Sequence, residues 1–263
     1  MKSITQKWGL SVLGLIFLII INSSSAICHD MWFEVRDYTP ELGDGVTLTL
    51  AYGHHFPARG FMDKDRLKEI YAISPDGNRL EIDSDSEVEF KTSEPVNESG
   101  TFLIAGAQKG GFSTKTTEGY KRGKNKKHLD NVIECRYGGK YSKAIVNVGE
   151  ASGNAYSTVL GQELEIVPLA DPGVLEEGDY LPIKILYKDK PLASSQVFGT
   201  YVGFSTEKNT FAYATKTNKK GVAKIKILES GVWLVAASHV EDYPDPDECD
   251  VYRFKSALTF EVQ

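Results

Sequence analysis

The chain has 263 residues, 41% of them hydrophobic and 25% charged, which suits one large or two ordinary globular domains. Its 30 basic and 36 acidic residues give a formal net charge of −6 at pH 7, and an acidic balance argues against nucleic acid as a partner. Only Cys135 and Cys249 lie well inside the chain, too few for a disulfide framework.

Residues 1–28 have the composition of a secretory signal peptide. Lys2 and Lys7 supply the positive region, residues 10–21 form an apolar stretch, and residues 22–28 are small or polar. A bilayer-spanning helix needs about 20 apolar residues, so the stretch favours a signal peptide over an uncleaved anchor. We therefore expect an exported protein that works outside the cytoplasm and is soluble after signal cleavage.

The position of signal cleavage decides which residue starts the mature chain. Cleavage after Ala26 or after Cys28 satisfies the small-residue rule, and a lipid-anchored Cys28 is a third alternative. His29 becomes residue three in the first case and residue one in the second. Cleavage removes two lysines and no acid, which changes the net charge from −6 to −8.

The first series of short β-branched or alternating segments begins after the signal region and predicts five strands. These strands are residues 46–52, 69–73, 87–91, 101–106 and 143–148. Between the second and third, residues 74–78 read Ser-Pro-Asp-Gly-Asn, in which proline presets φ and glycine accepts positive φ. Residues 64–71 are ambiguous between helix and strand.

A second series of segments follows the small, polar stretch 149–157. Seven strands are predicted, at residues 163–169, 180–187, 196–204, 211–215, 222–227, 232–239 and 257–262. Short strands with turn signals between them are typical of antiparallel sandwiches. The sequence thus predicts an all-β protein with two antiparallel β-sandwich domains, residues 29–149 and 158–263.

Cys135 and Cys249 fall in different predicted domains. An oxidising compartment allows them to form a disulfide if their Cα atoms lie within about 7 Å.

His29 is the first candidate metal ligand, because signal cleavage places it at or near a free amine. As residue one, its α-amine and imidazole can chelate a single ion; as residue three, the amine, two amides and imidazole can form a square plane. Both arrangements suit Ni(II) or Cu(II). The α-amine has a pKa near 8, so a metal displaces its proton readily. The alternative is a frayed terminus carrying an ordinary histidine.

His54 and His55 follow a predicted strand and open a loop, where ligands commonly lie. Adjacent strand residues face opposite ways, so both can serve one site only if the strand has already ended. We favour His54, which a glycine precedes; the alternative is a polar turn closed by Pro57.

Other charged segments are interpreted as solvent-exposed. The basic segment 115–127 lacks interleaved aromatic residues, and the acidic segment 241–250 lacks the glycine and spacing of a calcium loop. The sequence also contains no nucleophile elbow, phosphate loop, His-Glu-x-x-His motif or paired-cysteine zinc motif. An enzyme is therefore not predicted.

Several motifs, in this order and spacing, resemble the DUF4198 family. They are His-Asp-Met-Trp-Phe at 29–33, Gly-His at 53–54 with Pro57, Gly-Phe-Ser-Thr-Lys-Thr at 111–116, Glu-Gly-Tyr at 118–120, Ser-Lys-Ala at 142–144, residues 161–168, and Gly221 with Gly-Val-Trp-Leu at 231–234. The resemblance implies immunoglobulin-like or prealbumin-like β-domains. It also implies a periplasmic component of cobalt and nickel uptake that works beside a membrane transporter.

The resemblance carries the family's His-Asp-x-Trp motif over onto His29, Asp30 and Trp32, and its Gly-His motif onto Gly53 and His54. His55 stands where a proline or small residue is more usual, which leaves the remaining ligand open between His55 and His239. The leading hypothesis is non-catalytic binding of Ni(II) or Co(II), with Cu(II) as a further candidate. The alternatives are an adhesive or structural module that binds protein or glycan, and a copper redox enzyme with an N-terminal histidine brace.

Overall fold

The computed structural model describes residues 29–263, so the predicted signal peptide and both cleavage positions lie outside the described residues. These residues form eighteen β-strands and three short 3₁₀ helices. No helix in this range is long and apolar enough to cross a lipid bilayer. The prediction of an all-β protein is confirmed.

The strands before residue 149 are β1 (Asp30–Val35), β2 (Thr47–Gly53), β3 (Leu67–Ile73), β4 (Arg79–Ser84), β5 (Glu89–Thr92), β6 (Gly100–Gln108), β7 (Gly111–Thr116), β8 (Gly119–Arg122), β9 (Val132–Gly138) and β10 (Lys140–Val148). A 3₁₀ helix, Lys64–Arg66, immediately precedes β3. The ambiguous segment 64–71 therefore contains one helical turn followed by a strand.

The strands after residue 157 are β11 (Leu164–Pro168), β12 (Tyr180–Tyr187), β13 (Lys190–Pro191), β14 (Gln196–Tyr201), β15 (Tyr213–Lys216), β16 (Val222–Lys226), β17 (Gly231–Asp242) and β18 (Val251–Val262). The other two 3₁₀ helices are Ala155–Ser157 and Pro172–Val174.

One large sheet contains strands from both halves of the chain. Along its main path the order is β1-β2-β5-β4-β3-β6-β10-β18-β17-β14-β15. The two halves meet where β10 pairs with β18 in parallel, with Lys140 opposite Lys255. A second sheet contains β11, β12, β13 and β16. The predicted boundary between residues 149 and 158 thus separates β10 from β11, while strands from both sides of it share the large sheet.

Strands β6 and β10 are buried on both faces and form the middle of the molecule. Phe102 and Val146 face a core shared with β1 and β2, whereas Leu103 and Ile145 face a core shared with the second sheet. Because successive strand residues point to opposite faces, this alternation lets two strands support two cores. The sandwich therefore has three layers at its centre.

A disulfide and a close backbone contact hold β9 against β18 and against the segment that leads into β18. Cys135 and Cys249 are bonded, with Cα atoms 4.9 Å apart. At the end of β9, a Cβ on Gly138 would lie 1.8 Å from the carbonyl oxygen of Arg253. Only glycine allows the backbones to approach this closely. These contacts hold the strands that flank the cavity described below.

Candidate functional site

The pairing of β1 with β2 brings His29 beside His54. In this antiparallel pair Asp30 lies opposite Gly53, so the next position outward in the same register places His29 opposite His54. Directly opposed residues project to the same face of a sheet. The two imidazole centroids lie 4.2 Å apart. The structure thus brings together two of the four predicted ligands, one immediately before β1 and the other immediately after β2.

The start of the described chain is held in place by contacts on both sides. The His29 ring stacks on Tyr52, with centroids 4.8 Å apart and planes 6° from parallel. Asp30, the next residue, accepts a hydrogen bond from the Lys255 ammonium on β18 at 2.8 Å. His29 is therefore anchored by an aromatic neighbour and by an ion pair formed by the following residue.

His54 is oriented by Asn209, a residue from the loop after β14. Asn209 Oδ1 lies 3.0 Å from His54 Nδ1, and the Asn209 backbone N–H donates to the His54 carbonyl oxygen at 2.8 Å. A hydrogen bond to the amide oxygen requires the proton on Nδ1, so the neutral ring in this tautomer has its lone pair on Nε2. Such outer contacts fix the tautomer of metal-binding histidines. The sequence pattern did not indicate this contact between Asn209 and His54.

His55 makes a separate contact with the same loop. Its Nδ1 lies 3.0 Å from the Thr206 carbonyl oxygen, and the Arg59 guanidinium donates a hydrogen bond to the same oxygen at 3.4 Å. On the other side of the loop, Glu34 accepts hydrogen bonds from the Ala58 backbone and from Trp32 Nε1. His55 therefore helps dock loop 54–60 onto the loop after β14.

His239 lies on the opposite face of the large sheet from His29. It is paired with Phe254 on β18 and therefore projects to the same face as Phe254. The next residue, Lys255, projects to the other face, where its ammonium contacts Asp30. The His239 ring contacts Tyr187 with centroids 4.2 Å apart. Burial lowers its pKa, although the nearby Glu241 carboxylate opposes this effect. The structure does not bring His239 to the His29 and His54 pair.

The surroundings of His29 favour its neutral imidazole. Burial lowers its pKa below 6.5, and His54 together with the cations Lys140, Lys255 and Arg122 lowers it further. A neutral ring offers the nitrogen lone pair that a transition metal requires. No group of three or more His, Cys, Asp or Glu side chains within residues 29–263 is arranged to hold a metal ion. Any third protein donor at this pair would have to be of another kind, such as a terminal amine.

A cavity of about 510 Å³ adjoins His29 and Tyr52. Strands β8, β9, β10 and β18 contribute to its walls, together with the 3₁₀ helix before β3 and the turn between β6 and β7. Its lining is rich in basic side chains and contains one acid, Asp65.

Comparisons with solved structures give only weak similarities. The D0–D1 domain of intimin is 12% identical, with 87% of this chain and 97% of that chain covered and a TM-score of 0.23. Murine CEACAM1b is 8% identical, with 89% and 100% covered and a TM-score of 0.22. Trypsin-activated α2-macroglobulin from Escherichia coli is 9% identical, with 88% and 15% covered and a TM-score of 0.25. Scores this low carry no argument about fold or function.

Sequence comparisons identify a family and no characterised relative. No curated protein matches the sequence. A family model described as a domain of unknown function, DUF4198, matches residues 26–241, a range that contains His29, His54, His55 and His239. The resemblance noted from the motifs is thereby confirmed, whereas the association with cobalt and nickel uptake stays a prediction. The chain belongs to the DUF4198 family, a domain of unknown function.

Proposed function

We propose that this protein is exported to the periplasm and binds Ni(II) or Co(II) through His29 and His54, for uptake by a membrane transporter. One observation carries the proposal: the two imidazole centroids lie 4.2 Å apart, at the start of the described chain. The contact between Asn209 and His54 Nδ1 supports it, because that contact leaves Nε2 of His54 to bind an ion.

The donor set fits a late first-row transition metal. If cleavage follows Cys28, His29 is residue one, and its α-amine and imidazole join the His54 imidazole as three nitrogen donors. Nitrogen donors suit Ni(II), Co(II) and Cu(II) better than Ca(II) or Mg(II), which prefer oxygen. His29 and His54 would thus hold the ion, while His55 and His239 take no part.

We propose a carrying role and not a catalytic one. The sequence has none of the common motifs for nucleophilic, phosphoryl-transfer or metalloprotease chemistry. A transported ion must also be released, and a small set of donors at the molecular surface suits reversible exchange. His29 is exposed, which leaves it accessible to a transporter subunit.

The test is calorimetric titration of the mature, untagged protein with Ni(II). The protein is produced with its signal sequence and exported, and its intact mass is measured first to establish whether His29 is residue one. We expect one Ni(II) per chain. Replacing either first-coordination histidine, as in His29→Ala or His54→Ala, should weaken binding by more than the roughly 10–100-fold that loss of an outer-sphere partner causes.

His239→Ala is the matched control, because it removes an imidazole from the opposite face of the same sheet. We expect its Ni(II) affinity to equal that of the wild type. Equal affinity of wild type and His29→Ala would refute the proposal. So would a loss in His239→Ala as large as that in His54→Ala.

The same preparation distinguishes the two alternative functions. An adhesive or structural module would bind no stoichiometric metal under these conditions. A copper enzyme would show Cu(II)-dependent turnover that requires a reductant. One bound Ni(II) or Co(II) without such turnover supports the carrying role.

A further inference from the structure

The cavity beside His29 has a concentration of positive charge that the composition of the chain does not explain. The whole chain has a net charge of −6, yet seven basic side chains and one acidic side chain line this cavity. The basic residues are Arg66, Lys109, Arg122, Arg136, Lys140, Arg253 and Lys255. Such a wall concentrates anions, because clefts with charges of one sign focus the electrostatic field.

Two of these cations are already neutralised and others are not. Arg253 pairs with Glu134 at 3.1 Å, and Lys255 pairs with Asp30 at 2.8 Å. In contrast, none of the ion pairs within residues 29–263 includes Arg66, Lys109, Arg122, Arg136 or Lys140.

The contacts of these remaining cations are with neutral groups. Arg66 lies over the Tyr52 ring at 4.5 Å, and Arg136 lies 5.2 Å from the centre of the Tyr120 ring. The Lys140 ammonium donates to the amide oxygen of Gln108 at 3.1 Å. Positive charge therefore remains available on several walls of one cavity.

We propose that this cavity binds a small organic anion with two or three carboxylate groups. Guanidinium groups match the planar carboxylate and bind it through paired hydrogen bonds. The cations are distributed over strands β8, β9 and β10 and the 3₁₀ helix before β3, with Tyr52, Phe112 and Tyr120 among them. Charges separated by aromatic surface suit carboxylates separated by a carbon skeleton better than one compact phosphate.

The same anion would complete the metal site, and this part rests on the proposed function. Arg122 and Lys140 line the same cavity as His29, so a bare divalent cation would approach the two imidazoles against a positive field. A polycarboxylate in the cavity reverses the sign of that field and adds oxygen donors beside the imidazoles. The cargo would then be the metal together with its carboxylate chelator.

Titration of the metal-free, mature protein with citrate tests the anion site alone. We expect citrate to bind the wild type, and Arg122→Met/Lys140→Met to bind it at least about 10-fold more weakly, as expected when hydrogen bonds to charged groups are lost. Lys121→Met is the matched control, since Lys121 neighbours Arg122 but does not line the cavity. It should bind citrate as the wild type does.

Three results would overturn the anion site: no citrate binding by the wild type, equal weakening in Lys121→Met, or tighter binding of pyrophosphate than of citrate. The variant His54→Ala separates the two proposals, because the His54 side chain does not line the cavity. It should keep citrate binding and lose Ni(II) binding, so a failure of the metal site leaves the citrate result intact.

Equilibrium dialysis with Ni(II) and citrate should retain one of each per wild-type chain. Retention of Ni(II) without citrate would refute the joint cargo.

Discussion

Removing the charge of Lys143 from its buried ion pair with Glu165 tests how the large sheet and the second sheet are joined. Both side chains have 0% exposure, and their Nζ and Oε1 atoms lie 2.7 Å apart, between β10 and β11. Lys143 also donates to the Thr158 carbonyl oxygen at 3.1 Å. Glu165 accepts from the backbone amides of Leu160 and Gly161 at 2.7 and 3.1 Å. The pair thus connects the central strand, the second sheet and the segment between them.

Lys143→Met keeps most of the apolar stem but removes the charge. Glu165 then retains two amide donors and has lost its cation in a site without solvent. Leaving one member of a buried pair uncompensated costs about 3–5 kcal/mol of unfolding free energy. With a urea m-value of about 3 kcal/mol/M, the unfolding midpoint should fall by about 1–2 M.

Urea unfolding followed by tryptophan fluorescence measures this difference. The exposed strand residue Lys115 supplies the control, because Lys115→Met should change stability by no more than about 0.5 kcal/mol. Lys143→Met/Glu165→Gln removes both charges and should be more stable than Lys143→Met alone. An unfolding free energy of Lys143→Met within about 1 kcal/mol of the wild-type value would refute this prediction, since an isolated buried carboxylate costs more than that.

Further predictions concern the disulfide, one glycine, Asn209 and pH. Reducing the Cys135–Cys249 bond, which closes a separation of 114 residues, should lower the unfolding free energy by about 2–5 kcal/mol in calorimetry. Gly138→Ala should displace β18 and lower the melting temperature, while Gly111→Ala, with open space around its Cβ, should not. Asn209→Ala should weaken Ni(II) binding about 10-fold in titration. Because partial burial and nearby positive charge hold the His29 pKa below 6.5, its imidazole stays neutral at pH 7. Ni(II) affinity should therefore fall as the pH is lowered from 8 to 5, as protons displace metal first from the amine and then from the His29 imidazole.

Hydrophobic patterning predicted most of the strands but not how they pair. The strand predicted at 180–187 coincides with β12, and the turn at 74–78 forms with hydrogen bonds between Ser74 and Asn78. Strands β1, β4, β7, β8, β9 and β13 were not predicted, and all of them except β13 lie in the large sheet. The parallel pairing of β10 with β18 joins residues more than 100 positions apart, and no local pattern encodes such a contact. Pairing partners therefore required the structure.

At the candidate site, too, local sequence patterns predicted single residues but not the contacts that distant parts of the chain make with them. The sequence identified His29 and favoured His54 over His55, and the β1–β2 register gives the physical reason. A shift of one residue in that register would have placed His55 opposite His29 instead. Asn209 and Lys255 escaped detection because each contacts the site from a distance of more than 150 residues along the chain. The basic cavity was missed for the same reason, since its cations come from separate strands and the total charge is acidic.

An ion held by the histidine pair, as proposed, would link metal binding to the contact between the two halves of the chain. His29 and His54 belong to the β1–β2 edge, whereas Asn209 and Lys255 belong to the half that contains β14 and β18. An ion bound only by the native arrangement stabilises the folded state by RT ln(1 + [L]/Kd), about 2.7 kcal/mol at 100 times the Kd. Because Asn209 orients His54 only while both halves are folded, this stabilisation should extend to both halves. Ni(II) should therefore raise the unfolding temperature of the wild type as one transition, and Asn209→Ala should reduce the increase at equal Ni(II) concentration.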